Sequence, residues 1–176
     1  YRPSSLSELR GNDSAREEVR TWADTWEDHG EAVVIHGPPG VGKTSGAHAL
    51  AADRGWPTIE FNASDTRTGD VIEHVAGEAA KSGTLTGGGS GRRLVIMDEA
   101  DNIHGTGDRG GSRAITQLVK EANQPTILIA NDYYEMSNAL RNACQEIECR
   151  PVSRRSILPV LRDICRKEDI EFAEQA

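Results

Sequence analysis

The stretch Ala32-Val33-Val34-Ile35-His36-Gly37-Pro38-Pro39-Gly40-Val41-Gly42-Lys43-Thr44 decides the fold. Four apolar residues run into a glycine-rich turn that ends on a lysine and a threonine. Residues 37–44 fit G-x-x-x-x-G-K-[ST], a cradle for nucleotide phosphates. Gly37, Gly40 and Gly42 let the backbone curl until its N–H groups face phosphate oxygens. The pattern needs a strand before it and a helix after it. The run 32–35 reads as a buried strand, and 42–54 reads as a helix closed by Gly55 and Pro57. That helix offers its positive end to an anion. Lys43 is expected to reach the β and γ phosphates, and Thr44 to place its hydroxyl on Mg²⁺. Pro38, Pro39, Val41 and Ser45 complete the nucleotide-binding stretch.

Outward from this point the chain alternates. Apolar runs at 58–61, 93–97, 126–130 and 146–149 read as further strands. Ser14-x-x-Glu17 reads as a capping box ahead of a helix carrying Val19, Trp22, Ala23 and Trp26, with Gly30 as its stop. The tryptophan stripe is core packing. Residues 68–81 read as helical, 84–91 and 105–111 as glycine-rich loops, and Ala114, Ile115, Leu118 and Val119 as the apolar face of another helix. A short helical piece is expected at 136–141. Ser153 caps a last helix with Ile157, Val160, Leu161 and Ile164. Strands alternating with helices predict an α/β fold, a parallel sheet covered on both faces. Functional residues then belong beyond the carboxyl ends of the strands. The phosphate loop, Asp98-Glu99 and Asn131 each follow an apolar run, so one rim can gather them.

Leu94-Val95-Ile96-Met97-Asp98-Glu99 supplies the carboxylates. An acid at the end of a buried strand can hold a Mg²⁺-bound water, and its neighbour can orient and polarise an attacking water. Asp98 is assigned to the metal shell and Glu99 to the water; the alternative is a pair that caps the next helix. Asn131 suits the same water or the γ phosphate, although an Asn-Asp pair also forms turns. The five histidines, at 29, 36, 48, 74 and 104, show no metal-ligand spacing and read as surface or packing residues. Asn62-Ala63-Ser64 fits a glycosylation acceptor, but nothing in the sequence points to secretion.

Composition narrows the setting. The 176 residues carry 20 Lys+Arg against 28 Asp+Glu, a formal charge of −8, and only Lys43, Lys81, Lys120 and Lys167 are lysine. An acidic, lysine-poor, aromatic-poor surface fits work in high salt, where screening tames self-repulsion. No apolar run approaches the roughly 20 residues of a membrane span, and no signal-peptide pattern opens at Tyr1-Arg2-Pro3. Cys144, Cys149 and Cys165 are an odd, widely spaced set, read as reduced thiols of a cytoplasmic protein.

With these residues in place the chain resembles the AAA+ clamp loaders of the replication factor C type. The likeness rests on Asp98-Glu99-Ala100-Asp101, on Asn131 after its strand, on Phe61-Asn62-Ala63-Ser64-Asp65 and on Tyr1-Arg2-Pro3. Asp108-Arg109-Gly110-Gly111 and Leu140-Arg141-Asn142-Ala143-Cys144 look like the archaeal large subunit. The small subunits have Ser-Arg-Cys where this chain has Asn142-Ala143-Cys144, and their arginine serves a neighbour's ATP site. The resemblance implies a P-loop AAA+ five-stranded parallel sheet over 1–150, then the start of a truncated helical lid over 151–176. It implies ATP and Mg²⁺ as cofactors. It also implies small clamp-loader subunits, a sliding clamp and primer-template DNA as partners, with no membrane. Tyr1, Arg2 and Pro3 would lie near adenine, and Asn131 would be sensor 1. Gly110, Gly111 and the helix they open would meet DNA phosphates beside Arg109 and Arg113. The sensor 2 arginine, the collar and any clamp-binding tail would lie outside this segment. Two other functions stay open: a nucleotide-sensing scaffold that seldom hydrolyses ATP, and another AAA+ DNA-processing ATPase.

Overall fold

The computed structural model describes residues 3–63, 91–102, 109–121 and 123–170. Its five strands are β1 (Ala32–His36), β2 (Thr58–Asn62), β3 (Leu94–Asp98), β4 (Thr126–Ala130) and β5 (Cys144–Glu148). They form one sheet in the order β2-β3-β4-β1-β5, and every pairing is parallel. Burial explains the order. β1 and β3 bury their first four residues, and β4 buries all five. Such continuous apolar runs suit interior strands of a parallel sheet covered on both faces. β2 alternates exposed and half-buried positions, and β5 buries only Ile147; among the described residues these two are the edges.

The helices are α1 (Asp13–His29), α2 (Lys43–Arg54), α3 (Arg109–Glu121), α4 (Asn138–Arg141) and α5 (Arg154–Lys167), with short 3-10 turns at Leu6–Glu8, Ala100–Asn102 and Tyr133–Glu135. Side chains alternate across each strand, so the sheet has two cores. On one face Val33, Ile35, Ile96, Ile127 and Ile129 meet Trp22 and Trp26 of α1 and Leu50 of α2. On the other, Val34, Val95, Met97 and Leu128 meet Ile115, Leu118 and Val119 of α3. The tryptophan stripe is core, as expected; Trp22 also satisfies its indole by donating from Nε1 to the Glu31 carbonyl at 2.8 Å.

Several boundaries differ from the sequence expectation. Ser14 does not cap α1. It lies inside the helix, where its hydroxyl donates to Glu18 Oε1 at 2.7 Å. The cap position belongs to Asn12, in the left-handed region at φ 51°. Asn12 holds that conformation because its side chain is occupied elsewhere: Nδ2 donates to the Arg150 carbonyl at 2.9 Å and Oδ1 accepts from the Arg150 N–H at 2.8 Å. The expected loop at 105–111 is cut short, since α3 already begins at Arg109 despite its two glycines. The piece at 136–141 reduces to the four residues of α4, because Ser137 accepts from the Leu140 N–H and caps it there. β5 starts two residues before the expected 146. Ser153 caps α5 as expected, accepting from the Ser156 N–H. The expected helix at 68–81 and loop at 84–90 lie outside the described residues.

Candidate functional site: the phosphate-loop rim

The loop from β1 to α2 crosses the carboxyl end of the sheet. Gly37, Gly40 and Gly42 have φ of 140°, 77° and 96°, a region that side chains rarely enter. Gly37 is required for a second reason: a Cβ there would overlap the Cys149 carbonyl oxygen. Gly42 caps α2 and offers no side chain to its first N–H groups. The opening turn of α2 at Lys43, Thr44 and Ser45 therefore presents the open helix end that anions occupy.

Lys43 is buried, at 7% exposure. Its Nζ donates to the carbonyls of Gly37 at 2.6 Å and Pro38 at 2.8 Å, and to Asn131 Oδ1 at 3.0 Å. Burial lowers its pKa, and the nearby Cys149, Asp98 and Asp101 push it back up. Thr44 Oγ1 donates to Asp98 Oδ2 at 3.0 Å, so a hydroxyl and a carboxylate oxygen share one spot. Hard oxygen donors of this kind suit Mg²⁺. The glycine cradle, the uncapped helix end, the buried ammonium and this oxygen pair together fit a nucleotide triphosphate with its metal.

Asp98 Oδ1 accepts from the Glu99 N–H at 2.8 Å. Glu99 itself stands at φ 55°, one of three non-glycine residues with positive φ among those described. Such a conformation costs of order 1–3 kcal/mol, and the surrounding structure must impose it. The Glu99 carboxylate accepts from Asn102 Nδ2 at 3.3 Å. Among the described residues the next element is the short 3-10 turn Ala100–Asn102. Asp101 has no role that the sequence alone assigns. It is buried, and its Oδ2 accepts from the N–H groups of Asn131 at 2.8 Å and Asp132 at 2.9 Å. Finding it needs the β3–β4 adjacency, which no local pattern carries.

The rim therefore brings together Lys43, Thr44, Asp98 and Asn131, with Glu99 next in the chain. Pro3 lines a cleft of about 490 Å³ between Gly40, Val41 and Gly42 on one side and Val152, Ile157 and Val160 on the other. Tyr1 and Arg2 lie outside the described residues. Arg109, Gly110, Gly111 and Arg113 fall within the first turns of α3 rather than in a loop ahead of it. His36, read as a surface or packing residue, shares a 2.9 Å hydrogen bond between Nε2 and Glu146 Oε1 and stacks on Tyr133 with 4.7 Å between ring centres. Among the described residues no group of three or more His, Cys, Asp or Glu side chains is arranged to hold a metal by itself. No described helix is long and apolar enough to cross a membrane.

Comparison with known proteins places this geometry. Residues 33–152 match the ATPase family associated with various cellular activities (AAA). Over its full length the chain is 72% identical to the replication factor C large subunit of Haloarcula marismortui and 67% identical to that of Halobacterium salinarum. It is 48% identical over 179 residues to the large subunit of Methanosarcina mazei. The chain spans 35% of the Haloarcula protein, 37% of the Halobacterium protein and 29% of the Methanosarcina protein. Among solved structures it resembles the Thermotoga maritima RuvB Holliday junction branch migration motor, with a TM-score of 0.73 at 18% identity over 97% of this chain and 55% of that one. At that identity the likeness concerns the fold.

Proposed function

The chain belongs to the AAA ATPase family, and from that premise we propose that it is the ATP-hydrolysing module of a clamp-loader large subunit. In this reading the whole protein joins small clamp-loader subunits and uses ATP to open a sliding clamp and place it on primer-template DNA. The similarity to replication factor C large subunits along the entire chain supports the task. The observation that carries the chemistry is the meeting of Lys43 with Asn131 and of Thr44 with Asp98 within hydrogen-bond reach, from segments far apart in sequence.

The residues divide the work. Residues 37–42 and the first turn of α2, through Ser45, wrap the phosphates with backbone N–H groups. Lys43 neutralises the β and γ oxygens, and its burial keeps water from screening that charge. Thr44 and Asp98 would hold Mg²⁺, which would neutralise charge building on the phosphates. Glu99 orients the attacking water and takes its proton as the new oxygen–phosphorus bond forms and the bond to the β-γ bridging oxygen breaks. Asn131 reaches the γ phosphate or that water, with Lys43 already bound to its amide oxygen. Tyr1, Arg2 and Pro3 border the adenine, and of these Pro3 lines the cleft beside the phosphate loop. Residues 1–150 form the nucleotide-binding unit, and 151–176 begin a lid. Arg109, Gly110, Gly111 and Arg113 meet DNA phosphates in the assembled ring. Alone, the chain turns over slowly, because a neighbour's arginine is worth on the order of 10³–10⁵ in rate.

The test is calorimetry with Mg²⁺ and a slowly hydrolysed ATP analogue, followed by turnover in the assembled complex. Wild type should bind the analogue, and Lys43→Ala should lose at least about tenfold in affinity through the missing charge-assisted contacts. Glu99→Gln should still bind while turnover at this site falls on the order of 10²-fold or more. Unchanged turnover in Glu99→Gln would replace the motor by a nucleotide-sensing scaffold.

A further inference from the structure

Asp101 stands apart from the residues that would serve ATP directly. Its hydrogen bonds go to backbone N–H groups and not to a side chain that would face a phosphate, yet it is 6% exposed and carries a carboxylate. A buried carboxylate carries a large desolvation cost unless strong hydrogen bonds offset it. Oδ2 collects two of them, from the Asn131 and Asp132 N–H groups at 2.8 and 2.9 Å. The other oxygen, Oδ1, is buried and accepts no hydrogen bond among the described residues. All of the anchoring thus converges on two consecutive peptides at the end of β4.

Those peptides carry the Asn131 side chain. Its Oδ1 accepts from Lys43 Nζ at 3.0 Å. Asp132 in turn uses its own Oδ1 to accept from the Tyr134 N–H at 2.9 Å, which starts the turn Tyr133–Glu135. The chain leaves the sheet at Ala130, so no ladder partner fixes residues 131 and 132. Asp101 supplies that constraint from the turn just beyond Asp98-Glu99. The carboxylate pair of β3 and the amide of β4 are thereby tied to each other through one side chain.

We propose that Asp101 is a positioning residue for Asn131: its buried carboxylate fixes the two peptides that aim the Asn131 amide, and so couples the Asp98-Glu99 strand end to the amide that contacts Lys43. The inference rests on the ATPase reading of this site. It assigns Asp101 no contact with nucleotide. Its main effect on turnover passes through Asn131, beside a weaker through-space pull on the Lys43 ammonium.

That restriction makes it testable by a double-mutant cycle in the full-length chain. The complex would carry partner subunits with their own phosphate-loop lysines replaced, so that only this site turns over. Asp101→Ala should lower kcat on the order of 10- to 100-fold, the usual result of misplacing a reacting group by about 1 Å, while KM for ATP stays within about twofold. Asp101→Asn keeps a carbonyl oxygen for the same two N–H groups and should lose less than Asp101→Ala. In an Asn131→Ala background either Asp101 change should add less than about twofold, because the group it aims is gone. Amide hydrogen exchange at residues 131–132 should accelerate in Asp101→Ala while β1 stays protected. Losses that multiply across the cycle, or a raised KM with kcat intact, would overturn the inference and leave the ATPase reading standing. A wild-type site that hydrolyses nothing would sink both. Should Asp101→Ala fail to assemble, Asp101→Asn carries the same cycle.

Discussion

At the scale of single residues, the site is a set of groups held in conditions they would not choose in water. Lys43 is a buried ammonium held by the Gly37 and Pro38 carbonyls and the Asn131 amide oxygen, and Glu99 stands in a backbone conformation that favours glycine. Cys144 is the clearest titrating case. Burial, with a smaller push from Glu31, raises its thiol from 9.0 to about 12. The unfolded chain gives up that proton near pH 9, whereas the folded chain keeps it until about pH 12. In that window the unfolded state binds fewer protons, so stability must fall as pH rises, and below pH 9 the effect is absent. Urea melts at pH 8, 9.5 and 11 should show a steeper loss for wild type than for Cys144→Ala. Parallel slopes would mean that the thiol is not held protonated. Cys149 is pushed up in the same direction by burial, against the pull of Lys43.

At the scale of elements, the strand–loop–helix around residues 32–54 was legible because each part signals locally: a continuous apolar run, glycines at fixed offsets, and a helix closed by Gly55 at φ 63°. The residues after β3 and β4 were legible for the same reason, since each apolar run ends on a polar residue. What stayed hidden depends on contacts between distant segments. Asp101 needs β3 beside β4. Asn12, not Ser14, starts α1, and its side chain is engaged by Arg150, 138 residues away. The two glycines at 110 and 111 argue for a loop, but the chain after them carries enough apolar periodicity to start α3 at Arg109. Asn12 offers a test at this scale. Asn12→Ala removes both bonds to Arg150 and places an ordinary side chain at φ 51°, so thermal or urea unfolding should report a loss of about 2 kcal/mol. A loss below about 0.5 kcal/mol would mean that the N-terminal helix is anchored elsewhere.

At the scale of the whole molecule, charge sets the conditions. A net −8 over 176 residues is repulsive at low ionic strength, and the described ion pairs, such as Arg54–Asp24 at 2.6 Å and Arg20–Glu17 at 2.9 Å, involve partly exposed side chains of modest worth. Raising KCl from 0.1 to 2 M shrinks the screening length from about 10 Å to under about 3 Å. Relief of repulsion should outweigh the weakened pairs, and calorimetry should find Tm higher by about 5 °C in the concentrated salt. A flat or falling Tm would show that the pairs matter more than the net charge.

The same screening bears on the two outer strands. β2 carries Glu60 and Asn62, and β5 carries Gln145, Glu146 and Glu148. In dilute buffer such margins keep copies of the chain apart by long-range repulsion, but in brine that force is gone. What then deters one sheet from zipping onto the next is hydration: joining two margins would strip water from carboxylates that have no cation waiting on the other side. In concentrated salt the cost of stripping water from these carboxylates is therefore what opposes edge-to-edge pairing.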